Sequence, residues 1–273
     1  MKPAWNPEIT PNTRPVSALG WLRALVRGAA ASFVLVFGLI VLLVLRIVEA
    51  PIWAPHRPMT PYVTVMVCKI VLKIIGLQQR VIGSQMQGAG AVVANHSSWL
   101  DILVLNARQR VYFVAKSEVS GWPVIGWLAR ATGTVFVRRM RSDAKIQKTV
   151  FEDRLAAGHR LLFFPEGTST DGSLILSFKS TLYAAFFAQS ESGPIQVQPV
   201  TVRYRSPQGT FPEFYGWWGD MSLGPHLLQV LAAPRQGVVT VTYHAPLAVM
   251  NFADRKELAL ACEQAVRAGM TSG

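Results

Sequence analysis

The sequence predicts an α/β protein with a mixed sheet flanked by helices, preceded by an N-terminal membrane-embedded helical segment. The α/β prediction rests on short apolar runs that alternate with helical patterns after residue 77. The membrane prediction rests on an uncharged apolar run near the N-terminus and on the composition, which is 51% hydrophobic and only 15% charged. Ordinary cytosolic enzymes are less apolar than this.

The net charge of the chain is +12, from 27 basic and 15 acidic residues. Such an excess of positive charge favours an anionic partner. Combined with the high apolar fraction, it makes a membrane surface the preferred partner. The sequence shows no nucleic-acid-binding motif and no zinc-ligand spacing, so we expect neither a nucleic-acid partner nor a metal site.

The N-terminal part divides into a flexible lead-in and a membrane anchor. Residues 1–20 contain four prolines and cannot form a regular helix. Residues 28–45 carry no charge, and the length of this run is at the lower limit for a spanning helix. We therefore predict membrane-anchoring helices over 21–80 and a separate α/β domain over 81–273.

A second helix is predicted over residues 62–77. This stretch is apolar except for Lys69 and Lys73, which share one helical face. The pattern suits a helix in the membrane interface whose lysines reach the headgroups, and a core helix with a solvated lysine stripe is the alternative. With the apolar run before it, we prefer a membrane-embedded helical pair. The sequence leaves open whether the first helix spans the bilayer or enters one leaflet.

The remaining chain alternates between strands and helices of one layered domain. Predicted strands cover residues 91–94, 111–115, 134–137, 161–164, 195–204 and 237–244. Predicted helices cover residues 98–106, 123–131, 143–157, 180–189 and 254–268. The loop over 205–226 is rich in aromatic residues, and we expect it to touch lipid or to cover a groove.

His96 and Asp101 form the first candidate for chemistry. The apolar run before Asn95 predicts a buried strand, and Ser97 or Ser98 is expected to cap the helix that follows. A strand-to-helix corner lifts His96 out of the sheet and lets Asp101 return towards its ring. A carboxylate on one imidazole nitrogen leaves the other nitrogen free as a general base. The alternative is a core histidine beside a helix-capping aspartate.

Basic residues at the ends of two predicted strands form a second candidate. Lys116 ends one strand, and Arg138 and Arg139 follow the next. Basic side chains at strand ends suit the binding of a phosphate or another anion, whereas a solvated basic run is the alternative.

Two further segments carry possible chemistry. Glu166, Gly167 and Thr168 close a strand, where the carboxylate is expected to bond substrate hydroxyls and glycine allows close backbone approach. A plain strand-end turn is the alternative. Pro199 interrupts a strand and is expected near a sheet edge or the rim of a pocket. The sequence contains neither a G-x-S-x-G nucleophile elbow nor a phosphate loop.

Five segments occur in order: NHSSWLD, AKSEV, GTVFVRR, FPEGT and QPV. This set resembles the 1-acylglycerol-3-phosphate acyltransferase family of lysolipid acyltransferases, over roughly residues 60–250. The resemblance implies a glycerolipid acyltransferase-like fold, acyl-CoA or acyl-carrier protein as the donor, no further cofactor, and a lysolipid acceptor with a free hydroxyl. It implies that His96 and Asp101 are the catalytic pair. It places substrate binding on Lys116, Arg138, Arg139, Glu166, Gly167, Thr168 and Pro199.

One position departs from the pattern of many family members. An arginine commonly follows Glu-Gly-Thr in the family, whereas Ser169 stands here. The loss of a bidentate phosphate ligand weighs against a glycerol-phosphate acceptor. The stretch FPEGTSTDG resembles the lyso-ornithine lipid O-acyltransferase branch, whose acceptor has an amino-acid headgroup. Both acceptors are kept as hypotheses.

Two rival functions stay open at the level of the sequence. An acyl thioesterase could direct the same pair, His96 and Asp101, at water, and a non-catalytic lipid-binding membrane protein would need neither residue. The resemblance favours the acyltransferase, located at the inner (cell) membrane with its catalytic domain on the cytoplasmic face.

Overall fold

The computed structural model describes Trp5 and residues 15–137, 144–190 and 195–271. Its helices are α1 (Ala18–Trp53), α2 (Thr60–Ile75), α3 (Leu100–Asn106), α4 (Ile125–Thr132), α5 (Ala144–Ala156), α6 (Ala184–Ser190), α7 (Leu223–Ala232) and α8 (Arg255–Thr271). Its strands are β1 (Gln78–Ile82), β2 (Gly90–Ala94), β3 (Tyr112–Lys116), β4 (Val135–Val137), β5 (Arg160–Phe163), β6 (Gln196–Arg205), β7 (Val238–Tyr243) and β8 (Leu247–Ala248).

The strands form one mixed sheet, as predicted. Their order is β1-β7-β6-β2-β5-β3-β4, and β8 pairs with β6 outside this path. The strands from β6 to β4 run parallel to one another, whereas β7 is antiparallel to β6. Carboxyl ends of parallel strands meet at one edge of a sheet. The carboxyl ends of β2, β5, β3 and β4 therefore share one edge, which we call the carboxyl edge.

β2 is an interior strand and is buried over its whole length. It pairs with β5 on one side and with β6 on the other. One face of the sheet is covered by α2, α3 and α7, and the opposite face by α5, α6 and α8. A strand covered on both faces is expected to be continuously apolar, which explains why the run Ala91–Ala94 was recognisable in the sequence.

β1 lies at an edge of the sheet, in parallel with β7. The predicted boundary between residues 80 and 81 falls inside this strand, so the sheet begins earlier than the predicted domain. Four of its five residues are exposed and three are polar. It therefore lacks the apolar pattern by which strands are recognised.

α1 is much longer than the uncharged run that predicts it. It has 36 residues, which corresponds to about 54 Å. Ser17 caps it by accepting a bond from the N–H of Gly20 at 3.2 Å. Among the described residues, α1 is the helix long and apolar enough to cross a membrane, and only 11% of its most apolar window is buried.

Two arginines fasten the first half of α1 to α7. Arg23 Nε donates to the carbonyl of Ala232 at 2.9 Å, and Arg27 Nη1 donates to those of Leu231 and Ala233 at 2.9 and 2.7 Å. Cations are favourable at the C-terminal end of a helix, where the last carbonyls lack partners. These charges therefore interrupt the apolar pattern without ending α1.

Glu49 joins the second half of α1 to α2. Its carboxylate is fully buried. It accepts bonds from the N–H groups of Met59 and Thr60 at 2.7 and 3.1 Å, from Thr60 Oγ1 at 2.7 Å and from Arg46 Nη1 at 3.2 Å. A carboxylate at a helix N-terminus satisfies free backbone donors and complements the helix dipole. Glu49 therefore caps α2 from a neighbouring helix.

The contact between α1 and α2 gives a test of their packing. A Cβ at Gly38 would collide with Val67 of α2, whereas a Cβ at Gly28 would meet Leu231 at an ordinary 3.6 Å. Both glycines are helical, so alanine gains about 0.5–1 kcal/mol of helix propensity at each. We expect Gly28→Ala to preserve or raise the melting temperature. Gly38→Ala should lower the free energy of unfolding by about 1–3 kcal/mol through overpacking. Equal melting temperatures of the two variants in detergent would contradict this packing.

Candidate active site

The corner between β2 and α3 is fixed by the side chain of Asn95. Its Nδ2 donates to the carbonyl of Val202 at 2.9 Å, and its Oδ1 accepts from the N–H of Val202 at 2.8 Å. Asn95 is the residue directly after β2 and continues the pairing of β2 with β6 through its side chain. This sets the direction in which the chain leaves the sheet towards His96.

His96 and Asp101 meet as the spacing predicts. His96 Nδ1 lies 2.7 Å from Asp101 Oδ2. The same oxygen accepts from the N–H groups of Ser97 and Ser98 at 2.9 and 3.0 Å. Asp101 is fully buried. The predicted serine cap is wrong, because Trp99 is the N-cap of α3 and makes no side-chain cap bond. Ser98 Oγ accepts from the N–H of Leu100 at 3.2 Å, and Asp101 satisfies the other free donors of the corner.

The imidazole ring of His96 is held between its carboxylate and an aromatic face. It stacks on Phe164 with ring centroids 4.0 Å apart and an angle of 11° between the planes. The His96 side chain retains 18% of its exposure. Because Nδ1 is occupied by Asp101, Nε2 is the nitrogen that can take a proton from a bound molecule.

Tyr204 is part of the site and was missed by the sequence analysis. Its hydroxyl donates to Asp101 Oδ1 at 2.7 Å. Burial, and after it the Asp101 charge, raises the pKa of Tyr204 well above its usual range, so the hydroxyl remains a donor. The only sequence signal was its position near the end of a predicted strand. Its approach to Asp101 depends on β6 extending beyond the end of β2.

Glu166 is buried, and both of its oxygens are occupied. Oε1 accepts from the N–H of His96 and Oε2 from the N–H of Leu176, each at 2.7 Å. The carboxylate thus ties the corner of His96 to the segment after β5. From its sequence, Glu166 is predicted to bond substrate hydroxyls, but both of its oxygens have backbone partners inside the protein.

The other predicted residues occupy two parts of the sheet. Gly167 has φ = +76°, a conformation that favours glycine, and Thr168 beside it is half-buried. Lys116 is exposed at the end of β3, on the carboxyl edge that also carries His96 and Glu166. Pro199 lies in β6, an interior strand, where the partner of β6 changes from β8 to β7. The expected sheet edge at Pro199 is therefore wrong, and its place at the rim of a pocket stays a prediction. Arg138 and Arg139 lie outside the described residues.

The aromatic loop before α7 packs against the corner. The N–H of Trp217 donates to the carbonyl of Ser97 at 2.8 Å. Trp99 Nε1 donates to His226 Nδ1 at 2.9 Å, and His226 Nε2 lies 3.2 Å from the carbonyl of Phe214. Burial lowers the pKa of His226 to about 4, so the ring is neutral at pH 7. The sequence pattern around His226 indicates no role, whereas the structure shows that His226 bonds Trp99 in the corner segment.

No group of three His, Cys, Asp or Glu side chains in the described parts of the chain is arranged to hold a metal ion. The corner is suited to act as a general base. Nε2 of His96 is available for proton transfer, and the buried Asp101 carboxylate bonds Nδ1.

Comparisons with known proteins identify the relatives and the fold of this chain. Residues 78–203 match the family model described as Acyltransferase. The chain is 53% identical to the lyso-ornithine lipid O-acyltransferase of Rhodobacter capsulatus over 98% of each protein. It is 39% identical to that of Brucella abortus, over 75% of this chain and 80% of the relative. The crystal structure of a 1-acyl-sn-glycerophosphate acyltransferase from Thermotoga maritima shares the fold, with a TM-score of 0.61, 21% identity, and coverage of 92% and 95% of the two chains.

The burial of Glu166 predicts a pH dependence of stability. Burial raises the pKa of Glu166 from 4.5 to about 7, although the two backbone donors oppose the rise. The folded protein then keeps a proton that the unfolded chain releases between these values. The free energy of unfolding therefore falls by about 3 kcal/mol as the pH rises from about 4.5 to 7, and this contribution is constant above pH 7.

The measurement is denaturant unfolding of the detergent-solubilised protein at pH 5 and pH 8. Glu166→Gln removes this titration and should reduce the difference between the two unfolding free energies by about 2–3 kcal/mol. Glu257→Gln, at an exposed position, serves as the control and should leave it unchanged. The same pH dependence in wild type and Glu166→Gln would contradict the prediction.

Proposed function

This chain belongs to the 1-acylglycerol-3-phosphate O-acyltransferase family and is a lysolipid O-acyltransferase; we propose that it acylates the free hydroxyl of lyso-ornithine lipid at the membrane, with acyl-CoA or acyl-carrier protein as donor. The catalytic proposal is carried by one observation, the 2.7 Å contact between His96 Nδ1 and Asp101 on a ring that keeps 18% of its exposure.

His96 is the general base of the proposed reaction. Nε2 takes the proton of the acceptor hydroxyl while the hydroxyl oxygen attacks the thioester carbonyl. The new C–O bond gives a tetrahedral intermediate, which collapses with loss of the C–S bond. The proton passes from His96 to the departing thiolate, so a thiol leaves and the histidine returns to its neutral form. The thioester is already activated, so no acyl-enzyme is required.

Asp101 stabilises the imidazolium that forms during transfer. It accepts bonds from His96, from the two backbone N–H groups of Ser97 and Ser98, and from Tyr204. With donors on both oxygens, the carboxylate cannot rotate away from the ring. Tyr204 is therefore proposed as a positioning residue that acts through Asp101.

The acceptor proposal rests on the relatives and on Ser169. The relatives that align over most of the chain are named for lyso-ornithine lipid. Ser169 stands where many family members have arginine, and it is only 8% exposed. A serine there offers no guanidinium fork for a phosphate monoester. 1-Acyl-glycerol-3-phosphate is the second candidate acceptor, because the chain shares its fold with an enzyme named for that substrate.

Substrate binding is proposed for residues of the carboxyl edge, together with the predicted Arg138, Arg139 and Pro199. Lys116, with Arg138 and Arg139, would bind the anionic group of the acceptor. Glu166, Gly167 and Thr168 would form the wall beside His96, with Glu166 setting the backbone and not contacting the acceptor directly. Pro199 would act through the course of β6, since it lies within the sheet.

Association with the membrane is proposed to occur through the outer face of α1. Large apolar side chains on that face are exposed, among them Phe33, Phe37, Ile40 and Ile47. The first half of α1 is bonded to α7 and the second half to α2, so one side of α1 contacts protein along its length. This favours a helix embedded by one side over a helix surrounded by lipid. Since the donors are cytoplasmic, we propose the cytoplasmic face of the inner membrane.

The test of the reaction is thiol release by the purified, detergent-solubilised enzyme. The donor would be palmitoyl-CoA or palmitoyl-loaded acyl-carrier protein. Each donor would be tested with lyso-ornithine lipid, with lysophosphatidic acid, and without acceptor. We expect release that depends on lyso-ornithine lipid. Release only with lysophosphatidic acid would reject the acceptor and keep the transfer. Equal release without acceptor would indicate a thioesterase and reject the transfer.

The catalytic pair is tested by His96→Ala and Asp101→Asn. Loss of a general base typically lowers kcat by about 10²–10⁴, and loss of the aspartate behind a histidine by about 10⁴. His96→Ala should stay folded, because Asp101 keeps its bonds from Ser97, Ser98 and Tyr204. Full activity of a folded His96→Ala would remove His96 from the chemistry.

A further inference from the structure

A cleft lined by arginine and histidine lies at the edge of the sheet opposite His96. Its volume is about 260 Å³, and it is bounded by the turn between α1 and α2, the start of β3 and the turn before β5. Its charged and titratable lining consists of His56, Arg57, Arg110, Tyr112, His159 and Arg160. Arg57 also borders an adjoining cleft with Arg46, Asp153 and Arg154. The proposed chemistry at His96 uses none of these residues.

Among the described residues, no arginine of the cleft has a carboxylate partner, and two of them donate to backbone carbonyls. Arg57 donates to the carbonyl of Ala131 at 3.0 Å, and Arg160 Nε donates to that of Gly88 at 3.0 Å. The ion pairs found among the described residues involve other groups, including Arg46 with Glu49 and Arg267 with Glu263. Each guanidinium has five donors. Most N–H donors of these guanidinium groups, and their positive charge, are therefore available to bind a ligand.

His159 adds a donor that has no partner. It is 6% exposed, and Arg154 Nη1 lies 3.3 Å from its Nδ1. A guanidinium can only donate, so Nδ1 must be the acceptor and the proton must lie on Nε2. Nε2 is buried and has no hydrogen-bond partner among the residues that the structure describes. Burial, with the charges of Arg154 and Arg57, lowers the pKa of His159 to about 4, so the ring is neutral. A buried N–H with no partner is costly unless a ligand accepts from it.

The position of the cleft identifies the kind of anion. It opens beside the turn that joins α1 to α2, and exposed apolar side chains stand on both helices next to that turn: Ile52, Trp53, Tyr62 and Met66. Arg110 lies 4.8 Å above the ring of Tyr62. Aromatic and basic side chains at the end of an apolar helix pair are typical of the headgroup level of a bilayer.

We propose that this cleft binds the phosphate group of an anionic phospholipid, at a site separate from the acceptor site. Guanidinium groups bind phosphate through paired N–H donors, and the His159 Nε2–H supplies a further donor. Bound lipid would fasten the α1–α2 turn to the amino-terminal ends of β3 and β5. The site does not depend on the proposed transfer reaction.

The experiment measures melting temperature in dodecylmaltoside micelles with added dioleoylphosphatidylglycerol or dioleoylphosphatidylcholine. Phosphatidylglycerol should raise the melting temperature by roughly 5 °C at saturation, and phosphatidylcholine should not. Arg110→Gln with Arg160→Gln should weaken the apparent affinity for phosphatidylglycerol by about tenfold or more. Arg255→Gln with Lys256→Gln removes two exposed charges elsewhere and should keep the wild-type response. His96→Ala should also keep it, so the outcome is independent of catalysis.

The single variant Arg110→Gln, at an exposed position, decides the result if the double variant does not fold. An unchanged response to phosphatidylglycerol in a folded cleft variant would overturn the proposal, as would an equal response to phosphatidylcholine. Inorganic phosphate and coenzyme A are the remaining ligands to be tested. Stabilisation by either of these without stabilisation by phosphatidylglycerol would assign the cleft to a soluble phosphate and overturn the proposal that it binds a phospholipid.

Discussion

The Asp101 carboxylate is the group on which the geometry of the corner depends. Its two oxygens collect donors from the loop after β2, from the His96 ring and from β6. A buried carboxylate is stable only when hydrogen bonds replace its hydration. The same bonds that satisfy Asp101 therefore fix the orientation of His96. The path of the chain after β2 and the chemistry of the ring have one physical cause.

The two edges of the parallel strands carry different groups, and the α1–α2 pair reaches both. His96, Glu166 and Lys116 lie at the carboxyl edge, where an open α/β sheet usually binds its ligands. The arginines around His159 lie at the opposite edge, beside the turn between α1 and α2. Arg27 contacts the end of α7 at one end of α1, and Glu49 caps α2 at the other. Electrostatic contacts thus fix an apolar helix to a charged domain.

Local pattern was sufficient for features that depend on near neighbours. The apolar run of β2, the alternation of strands and helices, and the five-residue spacing of His96 and Asp101 were predictable because each is set within one or two elements. Tyr204 was not, because its contact with Asp101 spans 103 residues and requires the parallel register of β6 on β2. The same holds for His226, which is 127 residues from Trp99. The orientation of Glu166 could not be predicted either, since a motif shows which residues are present and not which donors surround them. The length of α1 was underestimated because its arginines have partners in α7 that the sequence does not reveal.

The tautomer of His96 tests the central claim most directly. Nitrogen-15 NMR of histidine-labelled enzyme in detergent, with His96 identified by the signal absent from His96→Gln, reports which ring nitrogen carries the proton when the ring is neutral. The hydrogen bond to Asp101 requires the proton on Nδ1 and a bare Nε2, and Asp101→Asn should abolish this preference. A proton on Nε2 would leave that nitrogen unable to accept one from a hydroxyl. That result would contradict the assignment of His96 as the general base.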